Sequence, residues 1–355
     1  FDDYVMVTAM VEKPEAFVTD TDRIFDYAAY LGKDDVYYIM SYAETSILGK
    51  GRGLERSLYT FKHNFLSKIY RIIPEPESGL LAGILFGQKD SLSEHYENQF
   101  RKVGLMHIVV LSGYNVALVI HLLLKILAFL PIKIRSLIAV VGIAVFALLV
   151  GGGPTVIRAS IMAVFIVFAD IVGAQYNIKR ALIIAGVIMV IINPKILYFD
   201  ISFQLSFLAT YGLIAFSPWL EERLSFLPKF FAVRDSAVAT LSAQIMVMPL
   251  ILYKIGELSI IAPLVNVLVL FAVPISMLTG FATAVIAFTS SQIATVVGFI
   301  ATFLLRYQLW IVDVFSRLPF ASVSVPPFHI IFLLLMYFLI FWWIQKITPA
   351  EENML

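Results

Sequence analysis

The 355-residue chain contains no cysteine. That excludes disulfides, thiol nucleophiles and thiolate metal sites, without identifying a compartment. Charge is scarce as well: Asp, Glu, Lys and Arg make up 14% of the residues, against about 25% in an ordinary soluble domain. The formal net charge of +1 names no partner, so only local charge is informative. There is no nucleotide-binding P-loop and no HExxH zinc motif, and neither nucleotide hydrolysis nor zincin chemistry has a basis in these residues. The first segment lacks a signal-peptide pattern and opens on Phe1 rather than Met, as expected of a piece of a longer protein.

What is abundant is apolar. Hydrophobic residues make up 60% of the chain and the mean hydropathy is +0.88. Runs of roughly the 20 residues that a membrane-spanning helix needs follow one another from Gly104 almost to the C-terminus. They predict an all-α polytopic membrane protein of about nine spans, near 105–130, 136–150, 155–173, 180–192, 200–217, 236–253, 258–287, 292–315 and 328–345. The 180–192 span is short and 258–287 carries Pro263 and Pro274, so broken or re-entrant segments are expected.

The remainder is organised ahead of the spans. Residues 1–45 are polar, with β-like pieces at Tyr4–Val11 and Val36–Tyr42, and read as the end of a small soluble β domain. Residues 46–103 read as interfacial helices. Leu58, Phe61, Phe65, Ile69 and Ile72 recur at helical spacing, with Lys62, Lys68 and Arg71 on other faces, the pattern of a basic amphipathic helix at the headgroup boundary. The alternative is a helix packed on the soluble domain. A weaker amphipathic region covers Ser78–Val103. Residues 104–347 form the membrane domain and 348–355 a tail. Alternate loops hold Lys133 and Arg135, Lys179 and Arg180, then Arg223, Lys229 and Arg234, and finally Lys346, whereas the opposite set holds Lys195, Lys254 and Arg317. This bias predicts the N-terminal portion outside and the C-terminus inside.

The polar residues inside the spans carry the functional reading. Met106–Val116 places His107, Ser112, Gly113 and Asn115 where lipid cannot hydrogen-bond them, so they must face protein or a water-filled cavity. Arg158 follows Gly151-Gly152-Gly153-Pro154, and Pro154 suits the first turn of a helix. Exposed amides at such a helix start, with a guanidinium nearby, suit an anion such as phosphate. The alternative is an Arg that pairs with Asp170 or with loop carbonyls. Asp200 opens a segment in which Ser202, Ser206 and Ala209 allow close helix packing, while Gln204 lies on another face and can project into a cavity. Gln244 precedes Pro249, and Pro263 and Asn266 precede Pro274; two consecutive proline-broken segments suggest a polar passage. Arg306 and Asp313 share a helix face and are expected to pair locally or snorkel. His107 and Ser112 are five positions apart and so off each other's face on a helix, which is unsuited to a nucleophile–base pair. With His121 as a second candidate base and no orienting third group, no catalytic residue is assigned. No metal or cofactor is expected.

Together these motifs resemble the ComEC competence-protein family, the inner-membrane DNA-uptake channel of naturally transformable bacteria. Its His-Leu-Leu-Ala-Ile-Ser-Gly-Leu-His pattern is similar to Gly104–Asn115, with His107, Ser112 and Gly113 in register. Pro154, Arg158 and Ala159 match a Pro-x-x-x-Arg-Ala pattern, and Phe203–Phe207, preceded by Asp200, a Phe-Gln-Leu-Ser-Phe block. Gln244/Pro249 and Asn266/Pro274 follow in order, and Phe25-Asp26-Tyr27 with Tyr30-Leu31 resembles the tail of the family's OB-like domain, as Gly83–Gly87 resembles its Leu-Leu-x-Gly stretch. Asn115 stands where the family's second histidine falls and cannot titrate. The metal-binding motif of the family's metallo-β-lactamase-like domain is absent from these residues.

The resemblance implies a channel that passes single-stranded DNA across the bacterial cytoplasmic membrane, with His107, Ser112, Gly113, Asn115, Arg158, Gln204, Gln244 and Asn266 along the path. Gly152, Pro154, Asp200, Ser206, Pro249, Pro263 and Pro274 then shape helix ends and breaks, and Lys62, Lys68 and Arg71 face the membrane surface. Implied partners are single-stranded DNA, membrane lipids, an external DNA receptor and a cytosolic helicase or ATPase. Competing readings are a secondary transporter of another polar or amphipathic substrate and an intramembrane hydrolase using Ser112.

Overall fold

The computed structural model describes residues 3–49, 53–88, 91–110, 112–228 and 233–347. Lys50, Arg52, Lys229 and the 348–355 tail of the sequence reading lie outside them.

The polar N-terminal stretch forms strands β1 (Tyr4–Glu12), β2 (Phe17–Val18) and β3 (Ile24–Phe25), helix α1 (Tyr27–Gly32) and strand β4 (Ile39–Gly49). β1 pairs antiparallel with β4, and β2 with β3. β4 starts three residues later than the β-like run in the sequence and continues to Gly49. Then comes α2 (Leu54–Ile72), the expected basic amphipathic helix, whose buried residues are Phe65, Leu66 and Ile69. It packs on membrane-domain helices rather than on the β strands.

The region expected as a weak second amphipathic helix divides into α3 (Glu77–Phe86) and α4 (Glu94–Lys102). All ten residues of α3 are buried, because its LLAGILF run is apolar on every face and a helix of that kind is stable only inside. α3 is thus a core helix and not an interfacial one. α4 keeps only Gln99 and Phe100 buried.

The first expected span is interrupted. α5 (Met106–Val109) is one turn long, and α6 (Gly113–Ile126) restarts after Ser112. With 14 residues, α6 is about 21 Å long, short of the ~30 Å hydrocarbon core. The helices that follow are α7 (Ile132–Val150), α8 (Pro154–Val172), α9 (Ile178–Ile192), α10 (Ile196–Phe199), α11 (Ile201–Arg223) and α12 (Val233–Lys254). After strand β5 (Glu257–Ser259) come α13 (Ala262–Leu270), α14 (Ala272–Ala287) and α15 (Ser291–Ser316). Strand β6 (Ser322–Ser324), paired with β5, precedes α16 (Ile330–Ile347).

The expected apolar runs are mostly helical among the described residues, but the expected nine spans are not all present as such. Among the described residues, six helices (α7, α8, α11, α12, α15 and α16) are long and apolar enough to cross a membrane, and α13 with α14, bent by 41°, makes a seventh if counted as one. Of Pro249, Pro263 and Pro274, only Pro274 lies at a break. α12 continues through Pro249, where the Tyr337 hydroxyl donates to the Met246 carbonyl in the same turn, 3.3 Å away. Pro263 lies in the first turn of α13, where a missing N–H costs nothing. The bend falls at Phe271, ahead of Pro274 in the first turn of α14.

Two bundles result. Residues of α2 to α5 and α13 to α15 share one core around Phe65, Ile69, Leu81, Phe100, Val265 and Leu305. A second set packs α6, α7 and α8 around Val116, Ile143 and Val156, and joins α9 and α11 through Met162, Leu182 and Phe207. α11, α12 and α16 meet around Phe216, Val238 and Ile344. The bundles meet where α5 passes into α6, and there the Asn115 side-chain amide donates to the Ile84 carbonyl at 3.2 Å.

The N-terminal portion is fixed to one end of this assembly. Arg23 is buried; its guanidinium donates to the carbonyls of Leu252 (2.7 Å), Tyr253 (2.9 Å) and Val325 (3.0 Å). Lys33 pairs with Asp200 at 3.3 Å, and Lys195 with Asp35 at 2.6 Å. The Asn193 amide donates to the Lys33 carbonyl at 2.8 Å. These contacts involve the turns that hold Lys195 and Lys254, the sparsely charged set of the sequence reading.

Candidate functional site

The junction of α6, α8 and α11 gathers the polar groups that the sequence scatters. Ser112 caps α6: its hydroxyl oxygen accepts from the Asn115 backbone N–H at 3.3 Å, and its extended backbone lets the chain turn sharply into the helix. Gly113 is the first residue of α6. A Cβ there would stand 2.6 Å from Nη2 of Arg158, so the guanidinium lies directly on the glycine backbone. Arg158 itself is in the second turn of α8, which Pro154 opens at its first position. It is 8% exposed, and its other terminal nitrogen donates to the Thr210 hydroxyl on α11. Thr210 in turn donates to the Ser206 carbonyl at 3.0 Å.

No carboxylate among the described residues pairs with Arg158. Asp170 is exposed on the outer part of α8, so the internal pair considered from the sequence does not form. Arg158 Nε, Ser160 Oγ and Ser206 Oγ are buried without a protein hydrogen bond. A buried guanidinium therefore rests on the N-terminus of α6, where the helix dipole is also positive. Two positive features facing each other in a low-dielectric setting favour an anion between or beside them.

The other expected path residues are distributed. His107 lies on α5, exposed although Leu105, Ile108 and Val109 around it are buried; its ring Nδ1 is 3.1 Å from the Gly104 carbonyl. Neither His107 nor His121 hydrogen-bonds Ser112. Gln204 does not reach Arg158. Its amide donates to the carbonyls of Leu197 and Tyr198 at 2.9 and 3.0 Å, closing the end of α10. Gln244 on α12 and buried Asn266 on α13 each keep an oxygen without a partner.

Residues read as structural also find roles. Asp200 caps α11 by accepting from the Phe203 N–H at 2.9 Å and also pairs with Lys33. Gly152 has φ +62°, a left-handed conformation that suits glycine in the turn before Pro154. On α2, Lys62 is turned inward and donates to the Leu149 carbonyl at 3.1 Å, beneath the ring of Phe86. Lys68 lies over Phe288, and Arg71 is exposed.

Thr210 was not singled out in the sequence, although its i+4 spacing from Ser206 was the available signal. Glu77 was missed as well. It is buried, with a carboxylate oxygen 2.7 Å from Arg306 Nε; it follows Pro74-Glu75-Pro76 and precedes an apolar run. Asp313 pairs with Arg317 at 2.5 Å and accepts from the Gln99 amide at 2.8 Å, as expected of local pairing.

Residues 84–349, from the end of α3 through α16, match the competence-protein family. The chain belongs to that family. This competence protein is 22% identical to ComE operon protein 3 of Bacillus subtilis (strain 168) over 246 residues, 69% of the chain and 31% of the relative. It is 34% identical to an uncharacterised protein of Aquifex aeolicus (strain VF5) over 127 residues, 35% of the chain and 30% of that protein. The chain thus spans about a third of the length of the curated relatives it matches. No solved structure matches it. The matched region contains His107, Arg158, Thr210 and every other described residue of the junction, and with the long apolar helices it makes this a membrane protein.

Proposed function

We propose that this competence protein forms the part of a DNA-uptake machine through which single-stranded DNA crosses the cytoplasmic membrane, and that Arg158 contacts the DNA backbone. The observation that carries this reading is the Arg158–Gly113–Thr210 arrangement: a buried guanidinium without a carboxylate partner, set against a helix N-terminus. A strand presents one negative charge per nucleotide, and recognition of that charge requires no reading of sequence. The path runs past the α5–α6 interruption, with His107, Ser112 and Asn115 beside it, and continues past Asn266 of α13 and Gln244 of α12. Ser112 acts here as a helix cap rather than a nucleophile.

The N-terminal portion lies outside the cell and the C-terminus inside. The loop-charge bias supports this, and so does the attachment of Arg23, Lys33 and Asp35 to the sparsely charged turns. An external receptor delivers the DNA and a cytosolic helicase or ATPase supplies the energy.

The test is import of labelled single-stranded DNA in a competent host that depends on the full-length protein. Arg158→Ala, at unchanged membrane level, is expected to lower import at least about tenfold, equivalent to 1.4 kcal/mol. Wild-type import by that variant would remove Arg158 from the path. If a small charged solute rather than DNA accumulated in a Arg158-dependent way, the protein would be a secondary transporter.

A further inference from the structure

We infer that the cleft between α4 and α15 holds the headgroup of one membrane phospholipid, its phosphate seated by Lys102, His95 and Arg317. The cleft lies apart from the Arg158 junction and has a volume of about 770 Å³, within the roughly 300–1,000 Å³ typical of small-ligand sites. His95, Asn98, Gln99 and Lys102 of α4 form one wall, and Asp313, Ser316 and Arg317 the other, with Ser322 of β6 at the end. A second cavity, sharing His95, Asp313 and Arg317, continues it past Arg306 and Trp310 to Glu75 and Glu77.

The charges are unevenly committed. Glu77 pairs with Arg306 through one oxygen, its other oxygen being buried without a partner, and Asp313 is satisfied by Arg317 and Gln99. Lys102 makes no ion pair or hydrogen bond among the described residues, and His95 stacks on Tyr96 and lies within electrostatic reach of Asp313 without a hydrogen bond. Gln99, buried at 9% exposure, keeps its amide oxygen without a partner in the cleft wall. An accessible ammonium, an imidazole and the outer edge of a guanidinium converge there, as a phosphate requires. Glu75 lines the second cavity, on the side where an amine-bearing headgroup would extend.

The helix below the cleft identifies a lipid as the occupant. Val296, Phe299, Phe303, Arg306, Trp310, Asp313 and Arg317 follow one another at alternating steps of three and four along α15 and so form a single stripe. Its first part is apolar and open, with Phe299 73% and Phe303 68% exposed. From Arg306 onward it is charged and aromatic. Such a change along one face marks the boundary between hydrocarbon and headgroups, where tryptophan concentrates. α15, with 26 residues, is about 39 Å long and outreaches the ~30 Å core, so its last turns lie at headgroup depth. Acyl chains on the apolar part of the stripe bring a phosphate directly to the cleft.

Native mass spectrometry of the purified protein, titrated with dioleoyl phosphatidylglycerol, dioleoyl phosphatidylethanolamine, inorganic phosphate or a 20-residue oligothymidylate, tests this. One phospholipid is expected to remain bound per chain. Lys102→Gln with His95→Gln should lower its occupancy at least fivefold, and Phe303→Ser should lower it independently. All three positions are exposed, and an unchanged thermal unfolding midpoint checks the fold. Unchanged lipid occupancy in these variants overturns the proposal. So does Lys102-dependent binding of phosphate or oligothymidylate that displaces the lipid, or a dimer that forms in its place. Uptake of DNA is a separate readout: the Arg158 reading can fail while the lipid remains bound.

Discussion

The Arg158 guanidinium lies on the backbone of Gly113, close enough that a methyl group at position 113 would stand 2.6 Å from Nη2. Thr210 holds the opposite edge of the same guanidinium, so Arg158 has little freedom to retreat. Gly113→Ala is expected to cost about 1–3 kcal/mol of local overpacking and to displace Arg158 from the α6 N-terminus. DNA import should fall while the protein still inserts, as judged by membrane level and detergent stability. Unimpaired import with alanine at 113 would mean that the Arg158 position is not critical.

Arg158 without a carboxylate partner makes stability and activity diverge. An ionised side chain at the centre of a membrane helix costs about 2.5–3.5 kcal/mol, and Arg158, near the start of α8, bears part of that cost. Arg158→Ala should therefore unfold at the same or a higher temperature than wild type while losing import. Arg158→Lys keeps the charge but loses the two-sided contact to Thr210 and Gly113, so partial import is expected. Loss of both stability and import in Arg158→Ala would assign the residue to folding alone.

The Glu77–Arg306 pair is asymmetric: the carboxylate is buried and the arginine largely exposed. Removing the arginine leaves a buried acceptor uncompensated. Arg306→Ala should cost about 1.5–3 kcal/mol, the range for a hydrogen bond to a charged group, at the low end because Arg306 faces solvent. Glu77→Gln combined with Arg306→Ala should recover part of that loss. A double-mutant cycle in thermal unfolding measures the coupling, and additive effects would show that none exists.

Attachment of the N-terminal portion should depend on pH through Asp35 and Lys195. The hydrogen bond from Lys195, then that from Tyr37, holds the Asp35 carboxyl below its ordinary value. The same pair, Asp35 first, raises Lys195 above its own. The Asp35 contribution is present above the ordinary carboxylate value and lost as pH falls through the depressed folded value. The Lys195 contribution is present below the ordinary lysine value and lost as pH rises through the raised one. Protection factors of the Gly32–Tyr37 amides, which correct for the intrinsic base catalysis of exchange, should be highest from about pH 5 to 9 and lower below about pH 4; Lys195→Ala should abolish that dependence. A flat profile in the wild type would show that the pair does not anchor this segment.

Much of this arrangement is legible in the residues. Apolar runs of sufficient length give the helices, Pro154 gives the start of α8, and Asp200 gives the cap of α11. What the sequence conceals is depth. α3 reads as weakly amphipathic because Glu77 and Ser78 open it, yet Arg306, 229 positions away, pairs with the carboxylate and lets the whole helix be buried. Proline is equally ambiguous: α12 runs through Pro249 without a break, while Pro274, which cannot bond the Leu270 carbonyl, follows the bend at Phe271. Gln204 looked free to enter a cavity, but local carbonyls of α10 were nearer. The i+4 spacing of Thr210 from Ser206 is visible in the sequence, but its contact with Arg158 exists only once α8 and α11 come together.

DNA caught in transit is the most direct test of the central claim. A photo-cross-linking residue at Ser112, half-exposed beside Gly113, should attach to incoming single-stranded DNA in a competent host, and Arg158→Ala should abolish that adduct. The same residue at Ile191, 75% exposed on α9, should attach to lipid and not to DNA. DNA adducts at Ile191 but none at Ser112 would contradict a path through the Arg158 junction.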